Sequence, residues 1–195
     1  RLIDVLNRGS EIAILAIGMT LVVSSSAGTD ISVGSVMSLY AGVCCMILAG
    51  YGNVNVSSYA HPLLVGILGG LAVTTICGLF NGLLVAYLNI QPMVATLILW
   101  SAGRAIGLLL CNSQIVYVRV PSFQKLGAYT GIIPTPIIVA AICIAIAASV
   151  LKFTALGTYI QSVGINKKAS RIAGFNSAKI ILLTYIICGL CAGLA

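Results

Sequence analysis

Apolar residues along this chain come in long, nearly unbroken runs. They do not alternate with polar residues as in half-buried strands. Glu11 to Gly28 is one run, decaying into Ser24-Ser25-Ser26-Ala27-Gly28-Thr29-Asp30. Ile31 to Gly50 is a second, closed by the turn-rich Tyr51-Gly52-Asn53-Val54-Asn55. His61-Pro62 opens a third that continues to about Leu88, and Asn89-Ile90-Gln91-Pro92 separates it from a fourth, Met93 to Leu110. Residues 112–132 are polar enough for a loop, with Arg119, Pro121, Lys125 and Gly131. Pro134 and Pro136 then start a fifth run to Leu151, proline being at home in the first turn of a helix. A last run covers Ile180 to Ala195. A membrane-crossing helix takes about 20 mainly apolar residues. The pattern therefore predicts an all-α, polytopic transmembrane helix bundle of about five to six spans.

Composition agrees. The 195 residues are 60% hydrophobic and 7% charged, with a mean hydropathy of +1.15. Soluble domains carry about 25% charged residues. Residues 31–103 contain no formal charge, with His61 the single titratable base. The net charge of +7 does not point to nucleic acid, because the basic residues are sparse and not interleaved with aromatics. It points to topology. Lys152, Lys167, Lys168, Arg171 and Lys179 fall in one expected loop, residues 152–179, that holds no acid. Positive charge collects on the cytoplasmic side. Counting back from there, residues 112–132 are expected outside, Asn89–Pro92 inside, and Tyr51–His61 outside. Arg1 is not an initiator Met, and Ile180–Ala195 stops short of a span without polar flanks. The sequence is expected to be a piece of a longer protein.

Little here suggests enzymatic chemistry. No G-x-x-x-x-G-K-[ST] loop and no H-E-x-x-H is present, and His61 has no second histidine to work with. No cofactor and no metal site are expected. Cys44, Cys45, Cys77, Cys143, Cys188 and Cys191 sit inside apolar runs and Cys111 at the end of one, where free cysteine behaves as a small hydrophobe. Gly66/Gly70, Gly78/Gly82, Gly103/Gly107 and Gly189/Gly193 have the spacing that lets helix backbones approach closely in lipid.

Three places carry polar information. Asp30 follows a Ser/Gly/Thr stretch between two apolar runs. It reads either as part of a broken or re-entrant helix, capping the helix that follows, or as an ordinary loop acid at the membrane surface. Arg104 lies within a run, where a charge must snorkel, pair or face a cavity. Between Asn166, a good N-cap, and Gly174, a good terminator, lies a helix of about two turns. Ala169, Ile172 and Ala173 would share one side of it, with Lys167, Lys168 and Arg171 spread over the rest.

These residues carry a resemblance. Gly28-Thr29-Asp30-Ile31-Ser32-Val33-Gly34 is similar to the G-x-D-L-S-V-G signature of monosaccharide ABC importer permeases of the ribose/xylose/galactose-type branch, with Ile31 in place of Leu and Ala27-Gly28-Thr29 in place of Gly-Gly-Ile. Asn89 to Leu97 fits the same family. Residues 157–174 resemble its G-x-x-x-x-A-x-G-x-N-x-x-A-A-x-x-x-G coupling segment, with Ser162 and Ser170 where Ala is usual and Lys168 where Ala or an acid is typical. Within the branch the chain resembles galactofuranose-type permeases, through Ile12-to-Gly18, Met19-Thr20-Leu21-Val22, Ile133-Pro134-Thr135-Pro136 and Leu183-Thr184-Tyr185. The resemblance implies that residues 1–195 are part of an ABC transporter transmembrane domain in the bacterial inner membrane, translocating a monosaccharide. It also implies partners: an ATP-binding cassette subunit that hydrolyses the ATP, a second permease subunit, identical or different, and an extracytoplasmic sugar-binding protein. Gly164, Asn166, Ala169, Arg171, Ala173 and Gly174 would belong to the coupling segment. Asp30, Ser32, Gly34, Gln91, Thr96 and Arg104 would belong to the pathway or the broken helix. The alternative is a secondary transporter or facilitator for a small polar solute, which calls for intramembrane acids to couple ions; Asp30 is the one available.

The topology has a direct check. In single-cysteine labelling of intact cells, positions 165–171 are expected to react only from the cytoplasm and positions 53–58 only from outside.

Overall fold

The computed structural model describes residues 2–50, 55–56, 60–121, 123 and 134–195. Its elements in chain order are α1 (Leu2–Ser26), α2 (Val33–Ala49), β1 (Asn55–Val56), α3 (Leu63–Ala86), α4 (Pro92–Leu110), β2 (Tyr117–Val118), α5 (Thr135–Phe153), α6 (Ala155–Ile165), α7 (Lys167–Ile172) and α8 (Ser177–Leu194). Five of them, α1, α3, α4, α5 and α8, are long and apolar enough to cross a membrane. Helix α2 has 17 residues, or about 25 Å at 1.5 Å per residue. That is short of the ~30 Å hydrocarbon core. The outward faces carry exposed Leu64, Leu68, Ile76, Leu109 and Ile146, as a lipid-facing surface requires.

The chain folds back and forth between two faces. Asn55 and Val56 pair in parallel with Tyr117 and Val118, so the α2–α3 and α4–α5 connections meet on one face. Tyr51–Val54, Ser57–Tyr59 and most of residues 122–133, where outside loops are expected, lie outside the described residues. On the opposite face, Gly28 packs against the Pro92 ring and Gly164 against the Ser24 carbonyl. The α1–α2 turn, the α3–α4 turn and α6 therefore share that face, in agreement with the counted topology.

Packing follows the small residues. Helix α8 lies along α3 and α1, and α2 along α4 and α3. Gly78 faces the Tyr185 carbonyl and Gly189 the Thr74 carbonyl, so α3 and α8 cross with backbones in contact. A Cβ on Gly42 would lie 3.0 Å from the Gly107 oxygen, which brings α2 equally close to α4. Without a hydrophobic force between helices in lipid, such contact supplies much of the attraction. Helix α3 serves two partners from one sequence: Gly66 and Gly70 meet Leu48 and Tyr40 of α2, while Gly78 and Gly82 meet α8. A core of Val22, Val85, Ala95, Val163, Ile181, Tyr185 and Cys188 joins α1, α3, α4, α6 and α8.

Two expectations need correction. Residues 152–179 are not one loop. Helices α6 and α7 occupy most of it, because Gly157, Ile160 and Val163 recur at helical spacing and are buried. Asp30 is not the cap of α2 either. The helix starts at Val33 with Ser32 in the N-cap position, and the Asp30 side chain bonds Ser32 and lies against Asn81 rather than reaching the first turn of α2.

The glycine contacts predict a contrast. Gly189→Ala should lower thermal stability by about 1–3 kcal/mol, the usual scale of overpacking, and reduce membrane yield. Gly34→Ala, whose added carbon meets nothing within 4 Å, should be neutral or slightly stabilising in the same thermal-shift assay.

Candidate functional site

Polar side chains gather in two places. The first is the joint between α1 and α2. Serine-rich sequence ends α1, Ala27 turns the chain with φ 54°, and residues 28–31 run without helical hydrogen bonding. Their polar groups find partners among the side chains. Asp30 Oδ1 accepts from the Ser32 backbone N–H at 2.9 Å and from the Ser32 hydroxyl at 2.6 Å. Asn81 Nδ2 donates to Ser32 Oγ at 2.9 Å, tying the joint to α3. The Ile31 N–H donates to Thr96 Oγ1 at 3.2 Å, tying it to α4. Just upstream, Ser25 and Thr184 share a hydrogen bond of 2.7 Å that holds the end of α1 to α8. Asp30, Ser32, Asn81 and Thr96 are all buried. Beside them lies a cavity of about 10 Å³, lined by Asp30, Ser32, Asn81, Cys188, Gly189 and Ala192 among others.

Of the residues expected at the pathway, the joint brings together Asp30, Ser32 and Thr96. It does not include the rest. Gly34 is exposed in the first turn of α2, Gln91 is exposed at the N-cap of α4, and Arg104 is exposed on the outer face of α4. Among the described residues Arg104 has no ion pair. Asn81 was missed, although an amide in the middle of an otherwise apolar α3 is a signal that sequence reading can use.

The second place is α7. Asn166 Oδ1 accepts from the N–H groups of Lys168 and Ala169, both at 3.0 Å. The far end is closed by two bonds around Gly174, whose φ is 89°: Gly174 N–H to the Arg171 oxygen at 3.1 Å and Phe175 N–H to the Ser170 oxygen at 2.9 Å. That pair of bonds is a Schellman motif. Phe175 packs on Tyr159 of α6 with ring centroids 4.6 Å apart, and Asn176 caps α8 through the Lys179 N–H. Both expected ends of the helix are therefore found, and both residues act as the sequence predicts. Ser170 points inward and is buried, while Ala169, Arg171 and Ala173 are exposed. Ile165 and Ile172 are 87% and 89% exposed. Ile165 ends α6 ahead of the extended Asn166, while Ala169 and Ile172, three residues apart, share an outward apolar stripe on α7. Gly164 is not on this surface; it is the close contact that lets α6 lie against the last turn of α1.

The larger cleft among the described residues offers no polar alternative to the joint. A cleft of about 320 Å³ between α1, α5, α6 and α8 is lined by apolar side chains such as Leu21, Ile146, Leu156 and Ile187, with Cys143 and Cys191. It presents no hydroxyl, amide or charge to a solute.

The joint generates a graded expectation. Asp30→Asn keeps an oxygen for both Ser32 donors and should preserve folding. Asp30→Leu leaves those buried donors unpaired, at about 1–3 kcal/mol each, and should lower both thermal stability and membrane abundance. Equal behaviour of the two variants would show that the carboxylate oxygen does not hold the joint.

All 195 residues match the family described as branched-chain amino acid transport system / permease component. The chain is 42% identical to the galactofuranose transporter permease protein YtfT of Escherichia coli over 99% of its own length and 54% of that protein. It is 34% identical to the fructose import permease protein FruF of Bifidobacterium longum, covering 100% of the chain and 53% of that protein, and 33% identical to the ribose import permease protein RbsC of Escherichia coli, covering 100% and 59%. It thus spans about half the length of the curated relatives it matches. No solved structure matches it. A bundle of apolar helices with a polar joint, matched along its whole length, belongs to the branched-chain amino acid transport system / permease component family.

Proposed function

We propose that this chain is part of the permease subunit of an ATP-driven monosaccharide importer in the bacterial inner membrane, and that α6 and α7 take up the motion of an ATP-hydrolysing partner. The sugar would be delivered by an extracytoplasmic binding protein and pass along an interface with a second permease subunit. The family and the sugar names carried by the relatives support this reading. Within the chain, the observation that carries it is the stripe of Ala169 and Ile172 on α7, a helix capped at both ends, with the exposed Ile165 at the end of α6 just ahead of it. A loop that served only to hold positive charge inside would not need caps, and two isoleucines left almost wholly in water are unfavourable. A partner groove that covers them removes that cost.

Neither cavity suits a monosaccharide. The one at Asp30 has room for about one water, and the larger one lacks hydrogen-bonding side chains. Asp30 and Ser32 are therefore assigned to the broken helix that shapes the bundle, not to sugar contact. The secondary-transporter alternative gains nothing, since the one available acid is committed to Ser32.

The coupling assignment is tested at the stripe. Ala169→Glu places a bulky charge in the packed contact and should weaken ATPase association by about 1–3 kcal/mol, roughly five- to hundredfold. Lys168→Ala should change little, as exposed charges contribute about 0–1 kcal/mol. Co-purification of the ATPase and sugar-stimulated ATP hydrolysis, normalised to permease abundance, read the difference. If Ala169→Glu leaves both intact, residues 166–174 are a positively charged inner loop and nothing more.

A further inference from the structure

Around the joint two buried side-chain atoms, Asn81 Oδ1 and the Tyr185 hydroxyl, have no hydrogen-bond partner in the protein, and of the two Asn81 borders a cavity. Asn81 is 1% exposed, and its Nδ2 is committed to Ser32 Oγ, but its Oδ1 has no hydrogen-bond partner in the protein. A buried amide oxygen without a donor costs about 1–3 kcal/mol. Asn81 lines the 10 Å³ cavity together with Asp30 and Ser32. Of the two Asp30 carboxylate oxygens, Oδ1 already accepts both Ser32 donors. Asn81 and Asp30, which lie against each other, both line the cavity, and the rest of its wall beyond Ser32 is Val33, Val36, Gly78, Cys188, Gly189 and Ala192, which bring no strong donor. Two acceptors facing a space about the size of one water describe the chemistry of what belongs there: a small molecule with two donors.

We infer that the cavity is a binding site for a single water molecule that donates one O–H to Asn81 Oδ1 and the other to the Asp30 carboxylate. The size is at the threshold for one water and no more. Such a water is typically held by two to four polar partners, and Ser32 Oγ is the third polar group on the wall. The glycines that bring α3 and α8 into contact also border the cavity, so the water sits where the joint and that crossing meet. An amide or hydroxyl at the same place could satisfy one acceptor, but not both with the room available.

The test uses the full-length permease in lipid bilayers. Solid-state NMR with magnetisation transferred from water should show a cross-peak between a long-lived water and the Asn81 side-chain amide. In Ala192→Val, which adds methyl groups to the cavity from α8, that peak should vanish and the melting temperature should fall. In the Asn81→Leu background, where no amide oxygen needs a donor, the same Ala192→Val change should lower the melting temperature by less than half as much. An assigned Asn81 amide with no water contact in folded wild-type protein overturns the inference. An Asp30 carboxyl proton donated directly to Asn81 would give that result. Additive effects of the two substitutions overturn it as well, because a water held by Asn81 beside Ala192 requires the two sites to be coupled.

Discussion

Hydrocarbon offers no hydrogen bonds, and every backbone N–H and C=O at membrane depth must find a partner inside the protein. In this bundle that constraint is met trivially by the helices and bites at one place, the six residues between α1 and α2. Helix α2 is too short to span alone, and its N-terminal end, with Ser32, Ser35 and Val36 buried, begins within the bundle. Of the backbone groups this exposes, the Ile31 N–H is met by Thr96 of α4 and the Ser32 N–H by Asp30, while Asn81 of α3 and Thr184 of α8 bind the side chains of Ser32 and Ser25. The arrangement of those helices around α2 follows from that need. Each must come close enough to place a short polar side chain at one point.

Closeness, in turn, comes from glycine. The crossing of α3 with α8 and the parallel contact of α2 with α4 are both backbone against backbone, with no side chain between. Removing side chains from these seams gives up apolar volume, yet lipid tails are as apolar as leucine and nothing is lost to water by doing so. The larger side chains are turned outward instead, which is why so many leucines and isoleucines lie on the surface. The polar joint and the glycine seams are thus two halves of one solution. The joint needs short reach, and the seams provide it.

Much of this was legible in the sequence because it is local. Run lengths located α3, α4, α5 and α8 to within a few residues, though α1 begins nine residues before Glu11; Pro92 and Pro136 marked helix starts, and Asn166 and Gly174 marked both ends of α7, since capping depends on residues within one turn. What escaped was set by contacts far apart in the chain. From its neighbours Asp30 reads either as a cap or as a surface loop acid, and its burial and partners show a third role, holding the residue ahead of the helix. Helix α6 was hidden by the charge pattern around it, although Gly157, Ile160 and Val163 carry a helical period that could have been found. Gly34, Gln91 and Arg104 were grouped with Asp30 by proximity to motifs, and only packing could separate them.

The double closure of α7 has a thermodynamic consequence. Its hydrogen bonds run between residues 166 and 175 and call on no distant part of the chain, and the Tyr159–Phe175 contact fixes its angle to α6. Ordering a free segment of this length on contact would cost about 1–2 kcal/mol for each backbone residue immobilised. Here that loss of freedom is incurred during folding. A protein that seats on Ile165 and Ile172 meets a preorganised surface, and the burial it achieves there goes into affinity and not into winding a helix.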